Sequence, residues 1–234
     1  MSSTITSNRA DAVGAVFAEV LTRLERWREA LAAAEFDRSA RLDAVVEALV
    51  APALAERSTL LVGAGFIAAP GVLDDVDLHL AWWLGKYNTL GLTAAEPAVR
   101  RLRSVDDPES EDFHDYTFME WWRVPAETRI AHLTGPYVDY LCTDDYTVTL
   151  TVPVEREGRL LGLVGADLYV RDVEAVLLPA LTPDSGVLTL INRSGRVIVS
   201  SDPHLPTGVV LRDTETAAIP VAWGGTPLRL VARS

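Results

Sequence analysis

Two runs of alternating residues, Tyr146 to Val154 and Leu160 to Val170, are joined by Glu155-Arg156-Glu157-Gly158. A period of two places successive side chains on opposite faces of an extended chain, and a polar connection closing on glycine folds two such runs into a hairpin. An antiparallel sheet is therefore required. A second pair, Gly186 to Asn192 and Arg196 to Ser201 across Arg193-Ser194-Gly195, repeats the pattern. A last strand is expected from Ile219 to Ala232, with a turn or bulge at Gly224-Gly225. Upstream, Thr59 to Ala68 and Val76 to Leu84 read as adjacent strands. If the second is a strand, only one of Trp82 and Trp83 faces inward.

Helices precede the strands. Val13, Phe17, Val20, Leu21, Leu24, Trp27 and Leu31 form one apolar stripe at helical spacing. After a polar break at Asp37 to Ser39, Leu42, Val45, Val46, Leu49 and Leu54 form a second. Phe113 to Val124 reads as a short helix carrying Trp121 and Trp122, and Asp172 to Leu181 as another. The order predicts an α+β fold, an antiparallel sheet flanked by long N-terminal helices, with a helical segment over 1–57 packing on a domain over 58–234.

With 234 residues, nearly half of them apolar, the chain can bury a full core without disulfide, metal or cofactor. A net charge of −12 with scattered arginines argues against a nucleic-acid surface and suits a cationic ligand better. Cys142 is the only cysteine and has no internal partner for a disulfide. The N-terminus lacks the basic start and apolar core of a signal peptide, and the longest apolar stretch is too short and too broken to span a bilayer. A cytoplasmic location with no membrane contact is the expectation. Lys86 is the one lysine among 21 basic residues, which fits the codon bias of a high-GC bacterial genome.

Gly63-Ala64-Gly65-Phe66-Ile67-Ala68 matches a G-x-G-x-x-A dinucleotide fingerprint but fails its context. That motif opens a helix, whereas Pro70-Gly71 would break one within two turns. His79, His114, His132 and His204 lack the spacing that pairs imidazoles on a metal, and no G-x-S-x-G elbow occurs.

Aromatic and acidic residues concentrate instead between Phe113 and Leu168: Trp121, Trp122, Tyr137, Asp139, Tyr140, Asp144, Asp145, Tyr146 and Asp167. Rings and carboxylates together make a box for a cation. Each aromatic, taken alone, is more often a core residue than a ligand contact. Asp167 differs, because a carboxylate within an apolar strand needs a partner from the fold or from a ligand. After the Gly135-Pro136 turn, Tyr137 and Asp139 share one side of an extended segment and suit a clamp, while Asp139 equally suits a local backbone cap.

Trp121-Trp122, then Pro136-Tyr137-Val138-Asp139, Pro153-Val154 with Gly158, and Gly165-Ala166-Asp167 follow one another in an order and spacing that resembles the Cache (PAS-like extracytoplasmic sensor) family. These motifs cover about a quarter of the chain. The resemblance implies a PAS-like antiparallel sheet and a small-molecule site lined by Trp121, Trp122 and Tyr137. It also implies that Asp139 and Asp167 hold a ligand ammonium. In amino-acid-sensing members an arginine two residues before the first Trp holds the ligand carboxylate; here that position is Met119. His114 stands where the family has an aromatic, and Trp122 where it has a tyrosine.

The likeness therefore keeps the ammonium half of the recognition scheme and loses the carboxylate half, which favours an amine or quaternary amine over a free amino acid. Arg123 or His114 would be the substitutes for the missing guanidinium. A sensor needs a downstream partner, and the stripe from Val13 to Leu31 suits a homodimer as well as packing on the chain's own sheet. Two other readings remain open: an enzyme using Asp139, Asp167 or His114 as acid and base, and a ligandless interaction module.

Overall fold

The computed structural model describes residues 2–90, 97–103, 110, 115–138, 145–182, 186–212 and 218–233. Two helices come first, α1 (Ser2–Ala33) and α2 (Ser39–Leu54). The strands β1 (Leu61–Ala68), β2 (Leu80–Leu84) and β3 (Arg100–Arg101) follow. A 3-10 turn at Tyr116–Phe118 leads into α3 (Glu120–Thr128), and then come β4 (His132–Val138), β5 (Tyr146–Arg156) and β6 (Arg159–Tyr169). The chain ends with α4 (Val170–Leu181), β7 (Val187–Ile191), β8 (Val197–Ser200), β9 (Ala218–Val221) and β10 (Leu228–Arg233).

The expected α+β fold with leading helices is observed, but its strands divide between two antiparallel sheets. Six strands in the order β3-β2-β1-β6-β5-β4 form the larger, and β8-β7-β10-β9 the smaller. The central hairpin turns on Glu157 and Gly158, both at positive φ, as a two-residue hairpin connection demands. The final segment is a hairpin and not one strand: β9 and β10 pair across the Gly224-Gly225 region. Among the described residues, no helix is long and apolar enough to cross a membrane.

Alternation decides which face of the large sheet does what. Val148, Leu150, Val152, Val164, Ala166, Leu168, Ala64, Phe66 and Trp83 pack with Phe17, Leu24, Leu31, Leu42 and Val46 of the two long helices. Burial here contributes about 25 cal/mol per Å² of apolar surface, and this face accounts for the apolar stripe of α1. The stripe is satisfied within the chain. The opposite face collects Ile67, Leu80, Trp82, Leu84 and Leu163 with Tyr116, Trp121 and Trp122. Trp82 thus faces α3 and Trp83 faces the helical layer, as the strand period requires.

Candidate functional site

Cross-strand register builds the site on the face toward α3. Residues directly opposite in neighbouring antiparallel strands share a face, so one row crosses the whole sheet: Thr134, Thr149, Asp167, Gly63, Leu84 and Arg100. The next row is His132, Thr151, Gly165, Gly65 and Trp82.

Asp167 sits at the centre of the first row and is only 3% exposed. The Thr149 hydroxyl donates to Asp167 Oδ1 at 2.6 Å, and Tyr137 Oη lies 2.7 Å from Thr149 Oγ1. Because the threonine proton goes to the carboxylate, the tyrosine hydroxyl donates to the threonine oxygen. Tyr137, Thr149 and Asp167 therefore form a directed chain that ends on a carboxylate, and each link strengthens the next.

Glycines open the space beside it. A Cβ on Gly63 would stand 2.8 Å from Trp82 Nε1 and 3.1 Å from Asp167 Oδ2, so the indole nitrogen and the carboxylate converge over the same point. The Trp82 indole lies across Gly65 and Gly165 as well; a Cβ at Gly65 would meet its Cε3 at 2.8 Å, and one at Gly165 its Cη2 at 3.2 Å. Trp82 Nε1 is buried and makes no hydrogen bond to a described residue. The fingerprint-like glycines at 63 and 65 thus lie inside a strand and serve as a floor for this ring, not as a phosphate loop.

The wall comes from the segment Tyr116 to Thr128. Tyr116 pins it to the sheet: its hydroxyl accepts from His79 N–H at 2.8 Å and donates to Ala68 O at 3.1 Å. Its ring lies 6.0 Å from that of Trp121 and 5.4 Å from that of Trp122. The Thr151 hydroxyl donates to Trp121 O at 3.0 Å, fastening α3 over the second row. Both tryptophans are buried. Buried His132 binds Glu120 Oε1 through Nε2 at 3.1 Å and Thr226 Oγ1 through Nδ1 at 2.9 Å, joining α3 to the approach of β10. That hydrogen bond from His132 holds the Glu120 carboxyl below its ordinary range. Asn192 Nδ2 donates to Gly135 O at 2.7 Å, so the smaller sheet also grips the irregularity that precedes Tyr137.

Of the residues expected at the site, the structure brings Trp121, Trp122, Tyr137 and Asp167 to one face of the sheet. Met119 stands at the start of α3, 42% exposed. Arg123 turns outward to Glu127 at 3.5 Å, and Arg129 to Glu155 at 3.0 Å. Neither guanidinium turns toward Asp167. His114 and Asp139 lie outside the described residues. Sequence reasoning missed Thr149, Tyr116 and the glycine floor. The run Thr147, Thr149, Thr151 in an otherwise apolar strand was the available signal for the first.

Residues 96–175 match the family model described as methyl-accepting chemotaxis protein-like, first PDC sensor domain. That segment is about a third of the chain and carries all of α3, β4, β5 and β6. Solved structures resemble nearly the whole of it. The ligand-binding domain of the Pseudomonas fluorescens chemoreceptor CtaA, in complex with L-valine, is 13% identical with a TM-score of 0.60, over 95% of this chain and 90% of that one. The ligand-binding domain of the Pseudomonas aeruginosa amino acid chemoreceptor PctC, in complex with GABA, is 14% identical with a TM-score of 0.57, over 97% and 95%. The extracellular domain of mmHK1S-Z3 is 17% identical with a TM-score of 0.68, over 98% and 93%. The chain has the fold of a PDC (Cache) sensor domain. No curated protein matches this PDC-type chain in sequence.

Proposed function

We propose that this PDC-type domain is a small-molecule sensor that binds an amine-bearing metabolite, with Asp167 as the anion that meets the ligand ammonium. The observation that carries the reading is the hydrogen-bonded chain from Tyr137 through Thr149 to Asp167 at the centre of a face walled by aromatic rings. A carboxylate only 3% exposed is costly to desolvate, and a cation is the partner that offsets that cost best. Trp82, Trp121 and Trp122 supply ring faces for the same charge.

L-valine and GABA in the two complexes described above each carry an ammonium and a carboxylate, so those complexes support both halves of an amino-acid scheme, and the choice between them rests on this chain's own residues. Those residues leave the carboxylate half without its expected guanidinium. Met119 replaces the arginine expected there, and Arg123 is engaged with Glu127. A simple amine or quaternary amine is therefore favoured over an α-amino acid, with the Trp82 N–H, unbonded among the described residues, offering one bond to an acceptor atom on the ligand.

The test is a thermal-shift screen of amines, quaternary amines, amino acids and carboxylates on wild type and Asp167→Asn. Amines are expected to raise the wild-type melting temperature and to leave the variant unmoved. Stabilisation of both proteins alike overturns the assignment of Asp167.

A further inference from the structure

The larger sheet ends at β3, and the cleft along that edge has the makings of a second binding site. It is an open space of about 800 Å³, within the size range of small-molecule sites. Its apolar lining comes from Trp83, Leu84, Leu90, Pro97 and Val99; Arg100, Arg101 and Arg103 also line it, together with the carboxylates of Asp43 and Glu47. In a chain of net charge −12, three guanidinium groups against the two carboxylates of Asp43 and Glu47 leave this cleft positive by one.

The three arginines are not equivalent. Arg101 is consumed by the fold: Nη2 meets both oxygens of Asp43 at 3.0 and 3.1 Å, Nη1 donates to Leu80 O and Leu102 O, and its plane lies over Trp83. Arg100 is not consumed. Its Nη2 donates to Leu90 O, while Nη1 is buried and has no hydrogen-bond partner among the described residues. A buried guanidinium nitrogen without an acceptor is costly, and an anion supplied from outside removes that cost.

We propose that this edge cleft binds a small organic anion, a carboxylate on an apolar body. The Arg100 guanidinium takes the carboxylate by turning its buried Nη1 into the cleft, Arg103 adds charge, and Leu84, Leu90, Pro97 and Val99 cover the hydrocarbon. The site is separate from the one at Asp167. Three strand spacings, about 14 Å of sheet, divide Arg100 from Asp167 in the row they share, farther than an α-amino acid reaches between backbones. The proposal does not depend on the identity of the ligand at Asp167.

Calorimetric titration of the full chain with a linear series from propionate to hexanoate tests it. Affinity is expected to rise about three- to fourfold per added methylene, as burial of the chain requires. Arg100→Gln is expected to lose roughly tenfold or more of it, and Arg103→Gln a smaller part. Asp167→Asn is expected to leave it unchanged.

Four outcomes overturn the proposal: no saturable binding of any carboxylate by wild type, the same affinity for chloride or phosphate as for hexanoate, full affinity in both arginine variants, or loss of carboxylate binding in Asp167→Asn. The last would make the two places ends of one site. Should Arg100→Gln fold poorly because Leu90 O loses its donor, Arg103→Gln and the chain-length series in wild type still decide the matter.

Discussion

Alanine at position 63 probes how the Asp167 site is built. Gly63 lies opposite Asp167 on one side and Leu84 on the other, and its φ lies outside the left-handed region, so an added methyl meets no backbone penalty. What it meets is side chain, Trp82 Nε1 at 2.8 Å and Asp167 Oδ2 at 3.1 Å. The indole cannot simply rotate away, since it is spread over Gly65 and Gly165 and buried beneath the aromatic wall. Overpacking of this kind costs about 1–3 kcal/mol, which lowers the melting temperature by roughly 3–10 °C in a chain of this length.

The same displacement moves both groups that face the ligand, so amine affinity is expected to fall roughly tenfold or more. Trp82→Phe supplies the second arm of a double-mutant cycle, because the smaller ring withdraws from the new methyl. Measured by urea denaturation, the double variant should be more stable than the sum of the single changes implies, by about 1 kcal/mol. Strict additivity, or Gly63→Ala with wild-type stability and ligand affinity, would refute the packing described here.

Other expectations concern the groups that hold the site in place. Asp43 fastens α2 to the β2–β3 edge. Burial works against its ionisation, but the hydrogen bond from His79 and the charge of Arg101 outweigh it and hold the carboxyl below its ordinary range. Asp43→Asn is expected to cost about 1–3 kcal/mol, read by chemical denaturation, since Arg101 keeps its carbonyl bonds but loses its anion. A carboxyl depressed on folding stabilises at pH above its unfolded value and loses that contribution as pH falls toward its folded one. The stability gap between wild type and Asp43→Asn should therefore be full near neutrality and close from about pH 5 downward. Glu120, depressed by His132, gives the same sign, and Glu120→Gln should narrow its gap from wild type over the same acid range. Thr149→Val removes the link between Tyr137 and Asp167 at nearly constant volume, and is expected to weaken amine binding more than it lowers the melting temperature.

Much of this was legible in the residues because the large hairpin obeys the period of two without interruption. That alternation put Asp167 on a defined face, and the Glu157-Gly158 turn needed positive φ that glycine supplies. The same rule assigned one of Trp82 and Trp83 to each face. β4 was harder to read as a strand, since Gly135-Pro136 interrupts its pattern and removes a ladder donor where the pairing slips between Thr134 and Tyr137. β3 spans two residues, too few for any periodicity.

The division into two sheets follows from which strands meet in space, and local patterns carry no information on that. The site suffered from the same gap. Thr149 becomes the partner of Asp167, and Gly63 its open flank, only through cross-strand register. Nothing in the linear order of Arg100 marks it as a member of that row.

The central claim is that the Asp167 carboxylate holds a ligand ammonium, and a calorimetric titration against Asp167→Asn tests it directly. Asparagine keeps the shape and the bond from Thr149 while removing the charge. The strongest amine from the screen is expected to lose roughly 2–5 kcal/mol, thirtyfold or more in affinity, while a neutral alcohol of the same skeleton changes little. Unchanged amine affinity in the variant, or an equal loss for amine and alcohol, would contradict it.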